Sequence, residues 1–453
     1  MKPIYRMILA TVFLFAIKVS AQSPRHLSLS EAIDHGLDNS KAVKLALSRV
    51  RGAEASTHEM RDKRLPDLTA SGQYLMLNEP NISLGSGLAG NADGNADSGE
   101  SGSFTAPKYL MLGQASLSIP LFSGFRISNG IRSAEYLEKA AGLDAASQTE
   151  ETVMNIVDAY VNLYKAQQAV ALVAEDLVQA KQRVKDFTNM MDNGLLAKND
   201  LLSAKLMESN TSLALLDARN NARIANYNMD LLLGFADDTQ LELENLNNSD
   251  LPLIAGKDDW RENAMTDRKD LQAMDEREKA SEMAVKIAKG SYYPSLALTG
   301  GYIAADIDNV ATLTNALSVG VGVNFDISNL FKGSSKVHQA KEQQLQTQIM
   351  KDQLTDQVKS QVFSSYSNYQ EAVERIHVYE TAREQAEENY RIVKSKHENS
   401  LVTTTELLDA DIDQFQARLN LEYARVDAVA AYCRLLQVSG KLNSTSVNNL
   451  IEE

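Results

Sequence analysis

Cysteine, proline, glycine and basic charge are all scarce in this chain, and each shortage closes off a class of protein. Among 453 residues there is one cysteine, Cys433, which excludes a disulfide framework and a cysteine-based zinc site. Eight prolines, 23 glycines and 6% aromatics are too few for a many-stranded sandwich that turns at every strand end. Against 60 Asp and Glu stand 45 Lys and Arg, a net charge of −15, with no contiguous basic run to displace counterions from phosphates. Nucleic acid is therefore not an expected partner. Nor does any stretch approach ~18 continuous apolar residues, the length that crosses a bilayer as a helix. What is left is 44% hydrophobic and 23% charged, a globular composition in which helix should dominate.

Residues 1–21 have the order of a secretory signal peptide. Lys2 and Arg6 precede an apolar run from Met7 to Ile17, and small residues, Val19-Ser20-Ala21, end it. Removing the segment takes away three cations and no acid, leaving the mature chain at −18. No cysteine follows the cut before Gln22, so a lipidated N-terminus is not expected. An exported chain without a membrane helix is periplasmic, secreted or an outer-membrane β-protein.

The sequence then runs through one pattern twice. Arg64-Leu65-Pro66-Asp67-Leu68, leading to Gly72-Gln73-Tyr74, is echoed by Tyr292-Tyr293-Pro294-Ser295-Leu296 and Gly300-Gly301-Tyr302. Asn193-Gly194-Leu195-Leu196 with Asp200-Leu201-Leu202-Ser203-Ala204 is echoed by Asn399-Ser400-Leu401-Val402 with Glu406-Leu407-Leu408-Asp409-Ala410. The implied organisation is a first repeat over 22–236, a linker over 237–259, a second repeat over 260–441 and a tail over 442–453. Each repeat reads as a helix (Leu29 to Lys63; Trp260 to Lys289), two short alternating segments, a very long helix (Arg126 to Asn193; Lys332 to Asn399) and a returning helix (Asp200 to Leu233; Glu406 to Val438). Helices of 68 residues, on the order of 100 Å at 1.5 Å per residue, belong to coiled-coil hairpins. A polar loop from Gly85 to Gly102 lengthens the first copy.

The alternating segments, at about 66–76, 110–121, 294–304 and 316–327, set apolar residues such as Leu317, Val319, Val321 and Val323 against Ser318, Gly320 and Gly322. Each is close to the length of a tilted membrane strand. Four strands cannot close a barrel, so other chains must complete it; two copies would give 8 strands and three would give 12. A soluble periplasmic coiled-coil scaffold or adaptor with a small β-domain is the alternative.

The signal peptide, the twofold pattern, the Pro entry to each first strand, Pro120-Leu121-Phe122-Ser123-Gly124 ahead of the long helix, and the paired helix tips resemble the TolC-like outer-membrane efflux proteins. The resemblance implies a mainly α protein with a membrane β-barrel portion. It implies a homotrimer in outer-membrane lipid, a 12-stranded barrel continued by a 12-helix periplasmic tunnel, and partnership with a periplasmic adaptor and an inner-membrane efflux pump.

No enzymatic constellation is visible. Six histidines are scattered without metal-ligand spacing, and no cofactor motif follows a strand. Cys433 lies in an apolar run as a core residue would, and Met190-Met191 reads as packing rather than a soft-metal path. By the resemblance, Glu406 and Asp409 stand at acidic-ring positions that gate the tunnel, with Asp200 at the matching tip, and Gly194, Leu195 and Leu401 at adaptor-docking positions. Local chemistry offers another role: Thr403 and Glu406 spell a capping box, and Asn199 or Asp200 is an adequate N-cap. Ser400 and Val402 depart from the family's Gly and basic residue, which puts the usual ionic lock of the gate in doubt.

Overall fold

The structure is a computed structural model and describes residues 25–78, 107–237, 239–245, 251–252, 254–309, 311–443 and 446. The expected signal peptide, the loop from Gly85 to Gly102 and most of the tail lie outside these. Helices and strands follow in the order β1 (Arg25–Leu27), α1 (Leu29–Asn39), α2 (Lys41–Asp62), β2 (Asp67–Met76), β3 (Tyr109–Phe122), α3 (Arg126–Asp192) and α4 (Lys198–Leu233). They continue with β4 (Leu241–Leu243), α5 (Lys257–Asp267), α6 (Lys269–Lys289), β5 (Ser295–Ile307), β6 (Ala311–Asn324), α7 (Asn329–Glu398) and α8 (Thr404–Val438).

The first helix of each half, expected as one piece, is broken. Ser40 leaves the helical region (ψ 120°) and its hydroxyl accepts from Val43 N at 3.2 Å, so it ends α1 and caps α2. Arg268 (ψ 125°) separates α5 from α6. Its guanidinium grips Asp270 at 3.0 and 2.6 Å and donates to Gln361 at 2.7 Å, fixing the break from the side chain. A two-stranded parallel sheet, β1 with β4, was not expected at all. Tyr160 explains its place: the phenol donates to Leu27 O at 3.0 Å and accepts from Glu244 N at 3.1 Å.

Two compact units are present, each drawing residues from both halves of the sequence. One comprises Met1–Val50, Ala141–Ala273 and Lys351–Glu453. Its core gathers Leu29, Ile33, Ile156, Tyr160, Met229 and Leu435, all fully buried. Burying such side chains contributes roughly 1.5–3 kcal/mol each.

The other unit, Arg51–Ala140 and Met274–Met350, holds the antiparallel sheet β2-β3-β5-β6. Residues opposite one another across an antiparallel ladder share a face, so the register sorts the side chains. Leu68, Leu117, Gly300 and Val319 form one row, Ala70, Ala115, Tyr302 and Leu317 another, and Ile119, Leu298 and Val321 a third on the same side. The alternate rows are Thr69, Ser116, Gly301 and Ser318, and Asp67, Ser118, Thr299 and Gly320. Over these rows one face is apolar across all four strands and the other polar or small, with Thr69 and Ser116 sharing a hydrogen bond of 2.6 Å on the polar side; farther from the helices Leu75, Leu110 and Ile307 share a row on the second face and Asp306 joins the first. β6 ends at Asn324, short of the expected 327, because Asp326 turns the chain by accepting from Ser328 N at 3.0 Å.

Candidate functional site: the helix tips

The turns that join the long helices to the returning ones have one construction. Gly194 at φ +74° and Ser400 at φ +59° occupy the left-handed position. Gly194 N donates to Met191 O and Leu195 N to Met190 O, both at 2.9 Å; Ser400 N donates to His397 O and Leu401 N to Lys396 O, again at 2.9 Å. This is the Schellman closure, which satisfies carbonyls left over at a helix end. Glycine adopts it freely, while Ser400 does so at a cost of about 1 kcal/mol. Beyond each turn Leu195 and Leu401 stand 74% and 73% exposed.

The returning helices start differently. Thr403 caps α8, its hydroxyl accepting from Glu406 N at 3.3 Å and meeting Glu406 Oε1 at 3.1 Å. The reciprocal bond from the Thr403 amide is not part of this cap, whereas Ser28 and Glu31 form a complete capping box on α1. The expectation that Asn199 or Asp200 caps the other helix is corrected: α4 begins at Lys198, two residues before the expected Asp200, and its N-cap is Ala197, without a side-chain bond. Asp200 and Glu406 consequently sit at the same third position of their helices, where the macrodipole favours a carboxylate. Glu406 and Asp409 are exposed and Asp200 is half-buried.

Behind the turns lies a small core of Phe187, Leu201, Ala204 and Leu407, against which Met190 and Met191 pack. His397 stacks on Phe187, ring centroids 5.5 Å apart, and its Nε2 meets Thr404 Oγ1 at 3.2 Å. Among the described residues no group of His, Cys, Asp and Glu could hold a metal ion.

An ionic cluster, which reading the sequence missed, ties the two hairpins together. Arg183 on α3 pairs with Asp411 on α8 at 2.8 Å, with side chains only 9% and 4% exposed. Burial pulls the Arg183 pKa down, but the bond and charge of Asp411 outweigh it and hold the guanidinium above its ordinary value. Asp176 is raised, first by burial and then by the neighbouring Asp411 charge. Arg418 on α8 reaches Glu387 on α7 at 3.3 Å and Glu175 on α3 at 3.4 Å.

Elsewhere in this unit a polar cavity of about 680 Å³ is lined by Glu150, Arg268, Lys269, Gln361 and Arg434. Burial there pushes Glu150 up to about 7, against the opposing charge of Lys269. Cys433 is fully buried, and burial pushes its thiol up to about 12, the behaviour of a core residue rather than a nucleophile.

An apolar-faced sheet of membrane-strand length joined to long helical hairpins defines a class, and comparison identifies it. The chain belongs to the outer membrane efflux protein family, whose sequence profile matches residues 32–235 and 260–441. Such proteins are outer-membrane channels rather than enzymes, and the outer membrane is where this chain resides. Among relatives, the outer membrane efflux protein BepC of Brucella suis biovar 1 (strain 1330) is 24% identical over 328 residues, 72% of this chain and 71% of its own. Of solved structures, CusC superposes with a TM-score of 0.76 at 17% identity, covering 91% of this chain and 92% of its own. The CmeC outer membrane channel of Campylobacter jejuni gives 0.75 at 16% identity, covering 93% and 88%.

Proposed function

We propose that three copies of this chain close into a 12-stranded barrel in the outer membrane, continued by a 12-helix periplasmic tunnel. Through it leave substrates handed over by an inner-membrane pump and a periplasmic adaptor. The observation that carries this reading is the sheet itself: an apolar face across four strands, with β2 and β6 each open along one edge. In lipid every unpaired backbone group costs several kcal/mol, so the edges need partners, and three copies of four strands make an even, closed barrel. β3 and β6 have 14 residues each. At ~3.3 Å per residue and a tilt of about 40°, such a strand rises roughly 35 Å, enough for a hydrocarbon core of about 30 Å.

In this arrangement Glu406, Asp409 and Asp200 repeat three times around the periplasmic end, and rings of carboxylates in a narrow opening favour cations. Gly194, Leu195 and Leu401 present the adaptor with apolar tips that serve no core of their own chain. Val402 stands where the family often has a basic residue, so the ties between hairpins fall to Arg183–Asp411 and to Arg418 with Glu175 and Glu387.

Light scattering on detergent-extracted protein tests the assembly. Three chains per particle, with heat-modifiable migration of the barrel, is the expected result; a stable monomer overturns it.

A further inference from the structure

The sequence has no contiguous basic run, yet cations recur where strands pass into helices. α3 opens on Arg126 and carries Arg132; α7 carries Lys332 and Lys336 near its start. All four are exposed, and among the described residues none makes an ion pair. Neither helix has an acid in its first turn. The helix macrodipole asks for the opposite, acids at N-termini and bases at C-termini. α4 and α8 follow that rule with Asp200 and Glu406 in their first turns, and α6 with Lys286 and Lys289 in its last, while α2 departs from it at its start as α3 and α7 do. Asp326, just before α7, is already engaged by the Ser328 amide and hydroxyl. Lys332 and Lys336 lie within electrostatic reach of Asp326, and Arg126 Nε donates to Ser123 O at 3.0 Å, but all four charges stay exposed and open to an anion from outside the chain.

Aromatic rings mark the same level. Phe125 packs edge-on between Phe122 and Tyr293, at 5.2 and 6.0 Å. It holds a left-handed backbone (φ 64°) and is half exposed, while Phe331 on the first turn of α7 is 80% exposed. Phe122 ends β3, so the Phe125 ring extends the sheet's aromatic surface at its helical end. Rings beside Lys and Arg suit the layer where acyl chains meet headgroups. The far end of the sheet carries Asp306 and Asp308 with one cation, Lys108, beside them, whereas the helical end sets its four cations against Asp67 and Asp326.

We propose that this junction is a docking surface for anionic phospholipid headgroups of the inner leaflet. Phe125 and Phe331 sit at the acyl boundary, and Arg126, Arg132, Lys332 and Lys336 take the phosphates. The inference rests on the barrel reading and adds a lipid preference to it.

The test places a fluorophore at the belt by Phe331→Trp in a Trp260→Phe background, since Trp260 is the only native tryptophan. Trimers are reconstituted with brominated phosphatidylglycerol or brominated phosphatidylethanolamine. A preference of roughly threefold for the anionic lipid at 0.1 M salt is expected, lost at 1 M salt and in the variant with Gln at 126, 132, 332 and 336. Equal quenching by both lipids, or a preference that survives the four substitutions, overturns the proposal; so does the absence of quenching. Conductance of the same protein across planar bilayers separates these failures from failure of the duct itself. Should a tryptophan variant not assemble, mass spectrometry of lipid retained by wild-type and four-Gln trimers from mixed vesicles decides. Equal retention of the anionic lipid by both contradicts the inference.

Discussion

At the strand-to-helix turn a Cβ on Gly124 would stand 2.4 Å from the Gly290 carbonyl oxygen; at the helix tip a Cβ on Gly194 would meet nothing within 4 Å. Both glycines have positive φ, +63° and +74°, so the backbone demand is the same and only the surroundings differ. The junction has close backbone contact, packed rings and basic helix starts. The tips have open turns, exposed leucines and acidic helix starts. A crowded turn fixes the direction in which a helix leaves the sheet, whereas an open turn leaves its residues free to meet a partner. What holds the hairpins near the tips is then the buried ionic cluster behind the turns, and this assignment can be broken.

The largest effect expected is at that cluster. Arg183→Met strands a buried Asp411 and should destabilise the helical unit by about 3–5 kcal/mol, while adding Asp411→Leu should restore most of it. Denaturant unfolding of the detergent-solubilised protein measures both; a loss no larger than that of an exposed pair would remove the cluster from the account. Next comes the contrast between turns. Gly124→Ala should cost on the order of 3 kcal/mol through clash and backbone strain, and Gly194→Ala only about 1 kcal/mol from the backbone. Equal losses would erase the distinction between junction and tips.

Smaller effects sharpen the tips themselves. Thr403→Ala should cost about 1 kcal/mol, and Ala197→Ser, at the uncapped counterpart, should gain a few tenths or more, read by hydrogen exchange in the first turns of α8 and α4. Glu150 provides a pH handle in the helical unit. Its pKa, raised from the ordinary 4.5 to about 7, means that the folded protein prefers the neutral acid. Below pH 4.5 both folded and unfolded states hold the proton and nothing is lost; the penalty grows between 4.5 and 7 and is complete above. Glu150→Gln should therefore stabilise by on the order of 1 kcal/mol at pH 8, allowing for partial exposure, and leave stability at pH 4 unchanged.

Periodicity made the long helices and the strands legible, because each apolar residue of β5 or α7 carries its period within a few neighbours. The breaks at Ser40 and Arg268 were hidden since neither residue interrupts the apolar pattern; one acts through its hydroxyl and the other through partners distant in sequence. The β1–β4 pair has three residues a side, too few to show alternation. Arg183 and Asp411 stand far apart in the sequence, and only the packing of α3 against α8 makes them a buried pair. The cations of the junction escaped because Arg126 and Arg132 on α3 and Lys332 and Lys336 on α7 come from separate parts of the chain. At the tips, matching Asp200 to Glu406 was visible in the sequence, but the cap was not. Ala197 has no side chain that could announce it.

Single-channel recording across planar bilayers reaches the central claim most directly, that this chain forms a duct whose acidic tips control ions. At 0.1 M salt the wild-type channel should prefer cations and be blocked by multivalent ones. Glu406→Gln with Asp409→Asn should weaken both effects, and salt near 1 M should mute the difference as the Debye length falls from about 10 Å to about 3 Å. Thr403→Ala, which removes the cap and no charge, should leave selectivity as it is. Selectivity and block that persist unchanged at low salt in the doubly neutralised channel would contradict the account and leave Glu406 a helix-start carboxylate only.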